Sequence, residues 1–182
     1  MSKIYFQRWG WGKMQDVETS IKVLDGYNKT RFKRKNKNDE KRLTEAAMYA
    51  HENELIYFIT ITKNDNPYCY FEINKGFYRV CFLDEHLRKY MSYDFTDNFK
   101  DANPDKLFLS SITFWEFDGS SDKMTKITDH IFKPDGTFLT IERDLVSNEQ
   151  INSEAKNKID VTANWEDYPD FGQYDSIIRK ER

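Results

Sequence analysis

The spacing of hydrophobic and polar positions changes several times along this chain, and each change marks an element. Ile4 to Trp9 reads as a short strand that stops at Gly10 and Gly12 around Trp11. After a mixed stretch over 13–37, Leu43, Ala46, Ala47 and Ala50 recur at i, i+3, i+4, i+7, which is one face of a helix. Asn38 is placed to cap that helix, and Asp39 and Glu40 put negative charge in its first turn. It should end near Asn53.

The period then falls to two. Glu54 to Thr62 is rich in β-branched and aromatic residues and predicts a strand. Tyr68 to Asn74 and Phe77 to Leu83 predict a hairpin whose register can be argued. With Lys75-Gly76 as a two-residue loop, Ile73 faces Tyr78, Phe71 faces Val80 and Cys69 faces Phe82, while Glu72 meets Arg79 on the other side. A three-residue loop would set Phe71 against Arg79 and mix the faces. The two-residue register also sends Cys69 and Cys81 to opposite faces, so they should be two free thiols.

Asp84 is a candidate cap for a short helix reaching Tyr90 or Met91, and 93–105 reads as irregular with a turn at Asn103-Pro104-Asp105. Leu107 to Phe117 predicts a strand broken by Gly119-Ser120-Ser121-Asp122. Met124 to Phe132 and Thr137 to Arg143 predict two more around Lys133-Pro134-Asp135-Gly136, where Pro presets φ and Gly takes φ > 0. The sum is an α+β fold: an antiparallel meander of about seven strands with two short helices in the N-terminal half.

Length and composition narrow the class. A chain of 182 residues fits one domain spanning 1–182 and can bury a sizeable core. Mean hydropathy is low at -0.84, yet 16% of residues are aromatic, which argues against disorder. Charge is unevenly spread. Residues 1–42 carry +7 and the acidic remainder -10, which together make the formal -3. The start lacks the apolar run of a signal peptide and no membrane-spanning stretch is present, so no membrane partner and a cytoplasmic, reducing location are expected.

Catalytic chemistry finds no support in the spacing. His51, His86 and His130 fall at no metal-ligand spacing, and the two cysteines are not a Cys-x-x-Cys pair. Gly119-Ser120-Ser121-Asp122 lacks the nucleophile elbow, and no Gly-rich phosphate loop occurs. No cofactor, metal or enzymatic activity is expected. The basic run Lys29 to Lys37 would suit phosphates, but the acidic remainder would repel a polyanion, so no direct nucleic-acid binding is expected. Trp9-Gly10-Trp11-Gly12 resembles the Gly-x-Trp start of lipocalin-type barrels. A small-molecule-binding barrel, or a small enzyme with a site assembled from distant strands, is therefore the alternative. The simpler reading makes Trp9 and Trp11 core plugs at the end of the first strand.

Residues 160–175 stand apart, with five carboxylates, four aromatics and no Lys or Arg. Rigid rings give contact energy at low entropic cost, and acids of one sign steer a basic partner. Trp165, Asp167, Tyr168, Asp170, Phe171, Tyr174 and Asp175 are the candidate partner-binding residues. The competing reading is a surface loop whose rings fold back onto the sheet.

Two stretches, Ile127 to Glu142 with its Pro134-Asp135-Gly136 turn and Trp165 to Arg182 with Pro169 to Arg179, are similar to small immunity proteins encoded beside bacterial polymorphic toxins, including contact-dependent growth inhibition systems. The resemblance implies a non-enzymatic cytoplasmic inhibitor that binds a cognate toxin C-terminal domain, often a basic nuclease, and blocks its active site or substrate path. It would make Trp165, Tyr168, Phe171 and Tyr174 the anchors and Asp167, Asp170 and Asp175 the phosphate mimics.

Overall fold

A computed structural model describes residues 2–29 and 38–181. The first strand is β1 (Ser2–Tyr5), followed by a small hairpin of β2 (Trp9–Gly10) and β3 (Lys13–Met14), then α1 (Val17–Asn28) and α2 (Asp39–Glu52). A long meander follows: β4 (Tyr57–Lys63), β5 (Asn66–Asn74), β6 (Phe77–Leu83), β7 (Lys89–Thr96), β8 (Lys106–Phe117), β9 (Met124–Phe132), β10 (Phe138–Asp144) and β11 (Glu149–Glu154). A 3-10 turn over Thr162–Asn164 leads into β12 (Trp165–Asp167). The strands form an antiparallel ten-stranded sheet in the order β1-β4-β5-β6-β7-β8-β9-β10-β11, with β12 added beside β8. The fold is α+β, with two α-helices among the described residues. Among the described residues the sheet runs as an open path with β1 and β11 at its ends.

Seven of the ten strands correspond to the sequence expectation. The others are β7, β11 and β12. β7 replaces part of the stretch read as irregular, and its Met91, Tyr93 and Phe95 alternate with Ser92 and Asp94, the period-two signal of a half-buried strand. The expected helix after Asp84 is a tight turn instead. The Asp84 carboxylate accepts the N–H groups of His86 and Arg88 and forms an ion pair with the Arg88 side chain at 2.7 Å. Such a side chain satisfies backbone donors equally well in a turn or at a helix start.

The second helix lies earlier, at α1, where the sequence showed only a mixed stretch. Asp16 caps it by accepting the Thr19 N–H at 2.7 Å, and Ile21 and Leu24 supply its buried side. At its far end the Asn28 side chain donates to the Ile56 carbonyl at 2.8 Å and accepts the Ile56 N–H at 3.0 Å, which fixes the helix to the approach of β4. The α2 helix matches the expectation, capped by Asn38 and closed at Asn53, with Leu43, Ala46, Ala47 and Ala50 buried. Of the basic run at 29–37, residues 30–37 lie outside the described residues.

The β5–β6 hairpin takes the two-residue register: Ile73 opposes Tyr78, Phe71 opposes Val80, and Cys69 opposes Phe82. Continued through β4 and β7, this register builds three rows on one side of the sheet. They are Tyr57-Ile73-Tyr78-Phe95, Ile59-Phe71-Val80-Tyr93 and Ile61-Cys69-Phe82-Met91, and none of the twelve is more than 7% exposed. The other side is partly wet. Arg79 forks onto the two oxygens of Asp94 at 2.7 Å, so the pair expected between Glu72 and Arg79 is in register but the guanidinium binds the next strand. Trp9 stacks on Tyr70 there, as a core plug should. Trp11 does not: it sits with Gly12 at the tip of the β2–β3 hairpin, both at positive φ, and is 93% exposed.

Gly76 turns the β5–β6 hairpin at φ +64, and a Cβ there would lie 2.1 Å from an oxygen of Asp97. Gly76→Ala should therefore cost about 1–3 kcal/mol, read from the midpoint of urea unfolding at unchanged slope. Cys69 and Cys81 are free and buried on opposite sides of the sheet, and burial pushes the Cys81 thiol up to about 11 and that of Cys69 higher. Both thiols should resist alkylation at neutral pH in the native protein and react in denaturant, with the intact mass showing no loss of hydrogen beforehand.

Candidate functional site

The C-terminal stretch forms a strap across the three buried rows. Asp160 accepts from the backbone and hydroxyl of Thr162 and starts the 3-10 turn, after which Asn164 donates to the Leu109 carbonyl at 2.9 Å. β12 then pairs with β8 through Trp165↔Phe108, Glu166↔Leu107 and Asp167↔Lys106. It fits because β9 pairs with β8 only from Ser111 onward and leaves the start of that twelve-residue strand open. Beyond Pro169 the strap crosses the sheet, and Tyr174, Ile177 and Ile178 join the core cluster at 1%, 0% and 4% exposure. Each isoleucine contributes about 1.5–3 kcal/mol by leaving water. Two sheet tyrosines hold the strap's end: Tyr93 donates to the Lys180 carbonyl at 3.1 Å and Tyr68 to that of Ile178 at 3.4 Å.

This path corrects part of the expected interface. Tyr174 is interior, edge-on to Phe71 at 5.4 Å, and presents no ring to a partner. Phe171 is half-buried and stacked on Phe6 at 4.6 Å, and Trp165 is half-buried against Phe108 at 4.7 Å. The physical reason is that a segment covering a hydrophobic sheet must put its own rings into the contact. Exposed on the strap are Asp167, Tyr168, Asp170 and Asp175. Asp167 reaches Lys106 at 3.0 Å but stays 84% exposed, so the pair is weak. Glu166, in contrast, is buried and held by Arg179, which locks the strap.

Tyr168 and Asp170 also form one wall of a cleft of about 450 Å³ that no local pattern along the chain announces. The other walls are His51 and Glu54 at the end of α2, Tyr57 and Tyr78 from the buried rows, and Asp97 and Lys100 after β7. Two ion pairs line it, the exposed pair of Lys75 with Glu54 at 2.8 Å and that of Lys100 with the half-buried Asp97 at 2.6 Å. The Tyr168 hydroxyl adds a bond to Asp97 at 3.3 Å. Inside, His51 Nδ1 meets the Tyr57 hydroxyl at 2.9 Å, which in turn lies 3.5 Å from the Tyr174 hydroxyl. Burial pushes the Tyr78 hydroxyl up to about 12 and that of Tyr57 further, so both remain protonated and serve as hydrogen-bonding groups.

Three carboxylates, from Glu54, Asp97 and Asp170, thus face two ammonium groups over an aromatic floor. Such a cleft suits an incoming cation, which gains from both the acids and the ring faces. These residues come from the end of α2, from β4 and β6, from the β5–β6 turn, from the segment after β7 and from the strap. No local motif could have joined them, although the His51–Tyr57 spacing across the α2–β4 turn is visible afterwards.

Among the described residues no group of three or more His, Cys, Asp or Glu side chains is placed to hold a metal ion, and no helix is long and apolar enough to cross a membrane. The strap's structural role has a direct check. Tyr174→Ala should cost about 3–5 kcal/mol in chemical unfolding, as for other large buried rings, whereas Asp170→Asn on the same strap should change stability by less than about 0.5 kcal/mol. In comparisons with known proteins, the chain matches no family model, no curated protein and no solved structure.

Proposed function

We propose that this protein is a non-enzymatic binding protein for a cationic protein partner, acting as an immunity-type inhibitor of a basic toxin domain in the cytoplasm. The observation that carries this reading is the sidedness of the strap. Trp165, Phe171 and Tyr174 are turned inward, while Asp170 and Asp175 face solvent without an ion-pair partner among the described residues. Carboxylates displayed on a segment fixed by Tyr174, Ile177 and Ile178 lose little freedom on binding, and preorganisation of that kind raises affinity at no cost in new contacts. Acids so placed also attract a basic surface from a distance and compete with its polyanionic substrate.

The anchors differ from those first expected. Tyr168 remains as the exposed ring, and the cleft beside it offers a seat for one Lys or Arg side chain of the partner between Asp170, Asp97 and Glu54. An arginine would displace the exposed Lys75–Glu54 pair readily, since such a pair is worth about 0–1 kcal/mol. The similarity of 127–142 and 165–182 to immunity proteins supports a toxin domain as that partner. A second reading, a small-ligand site, is favoured by the contact of His51 with Tyr57 inside the same cleft.

The test is titration calorimetry against the C-terminal domain of a secreted toxin encoded in the neighbouring reading frame. Asp170→Lys combined with Asp175→Lys should weaken binding at least tenfold, which corresponds to about 1.4 kcal/mol, and Tyr168→Ala should weaken it by a similar factor. Wild-type affinity should fall steeply with added salt. Unaltered affinity in both variants would remove the strap from the interface.

A further inference from the structure

The far end of the sheet poses a separate question. Beyond the strap's reach, β9 and β10 are partly exposed along almost their whole length, and all six residues of β11 are exposed. β11 pairs with β10 from Glu149↔Asp144 to Glu154↔Leu139, and its outer side has no strand partner among the described residues. The hairpin that presents it is well built. Asp144 accepts the N–H groups of Val146 and Ser147 at 2.8 and 2.9 Å, and Asn148 supplies the positive φ that reverses the chain. Ile151, in the middle of β11, is 60% exposed.

An edge strand of this kind is ordinarily blunted by a central lysine, a proline or a bulge. β11 has none of these. Its sequence is Glu-Gln-Ile-Asn-Ser-Glu, with charge only at the ends and an uncharged centre. We infer that the outer edge of β11 pairs antiparallel with β11 of a second copy of this chain, joining two sheets into one continuous sheet across a two-fold axis.

Symmetry and side-chain chemistry select the register. A two-fold axis perpendicular to the sheet keeps each residue on its own face, so only residues of equal parity can oppose one another. Centred on Ile151, the pairing sets Ile151 against the partner's Ile151, Gln150 against the partner's Asn152, and Glu149 against the partner's Ser153. Glu154 then falls opposite the partner's Asn148. Exposed isoleucine covers isoleucine, amide meets amide, and no two like charges are directly opposed, which is the pattern that stabilises cross-strand neighbours. Sliding by one allowed step to centre on Asn152 leaves Ile151 facing the partner's Ser153 and loses the apolar pair. The strap lies over β4 to β8, away from this edge, so the dimer would leave the proposed partner-binding acids of both copies accessible.

A single-strand interface is small, so association should be weak, with the mean mass in sedimentation equilibrium rising from one chain toward two between about 5 and about 500 µM. Ile151→Lys, which opposes two ammonium groups, should keep the chain monomeric throughout that range while leaving its unfolding midpoint unchanged. The register has its own readout through single cysteines. Ile151→Cys should give a disulfide-linked dimer under mild oxidation, whereas Gln150→Cys and Asn152→Cys should each fail alone and link only when mixed. A wild-type chain that stays monomeric at the highest concentration overturns the inference. So does a dimer that persists in Ile151→Lys, or cross-linking of Gln150→Cys with itself.

Discussion

Tyr174, Ile177 and Ile178 rest on three rows of side chains that β4 to β7 present to one side, and that contact is the constraint on which the remaining features depend. A twisted sheet with one hydrophobic face needs a second layer. α2 provides part of it with Ala46, Ala47 and Ala50, small residues that allow close approach but contribute little area. The larger rings and isoleucines of the strap do the rest. Because Tyr174, Ile177 and Ile178 point inward, Asp170 and Asp175 beside them point outward, so stability and the display of these two acids follow from one arrangement of the same residues.

The cleft arises from the same geometry. Where the strap leaves β12 and turns at Pro169 it stands clear of the hairpin at Gly76, and the gap between them is lined by whatever the ends of α2, β5 and β7 happen to carry. Next along the strap, Phe171 packs its ring against Phe6, His51 and Tyr57. Binding chemistry in this molecule thus sits at a seam between the covering layer and the sheet. The opposite end of the sheet is half-buried along β9 and β10 and exposed along β11.

Much of the fold was legible in the chain, for reasons that differ by element. The β5–β6 register could be read because Glu72 and Arg79 on one face and three apolar pairs on the other agree on a single loop length. α2 could be read because cap, dipole and apolar face coincide. α1 was hidden by Gly26 and by its short buried side of Ile21 and Leu24. β7 carried a clear alternation that Asp84 masked by imitating a helix start. β11, fully exposed and polar, has no periodic signal to read. The strap's acids and rings stand out along the chain, but a linear sequence does not reveal depth. Trp165, Phe171 and Tyr174 looked like surface anchors because the register that buries them is set by β8 and by the sheet beneath, far away in the chain.

The order in which these parts are made has its own consequence. Leu109 leaves the ribosome 65 residues ahead of Tyr174, so at about 5–20 residues per second the sheet's greasy side waits about 3–13 s for its lid. During that interval the nascent chain exposes Phe71, Phe82 and Tyr93 as a broad sticky surface, which makes it a natural client for holding chaperones and gives slower translation of the last stretch a direct route to misassembly.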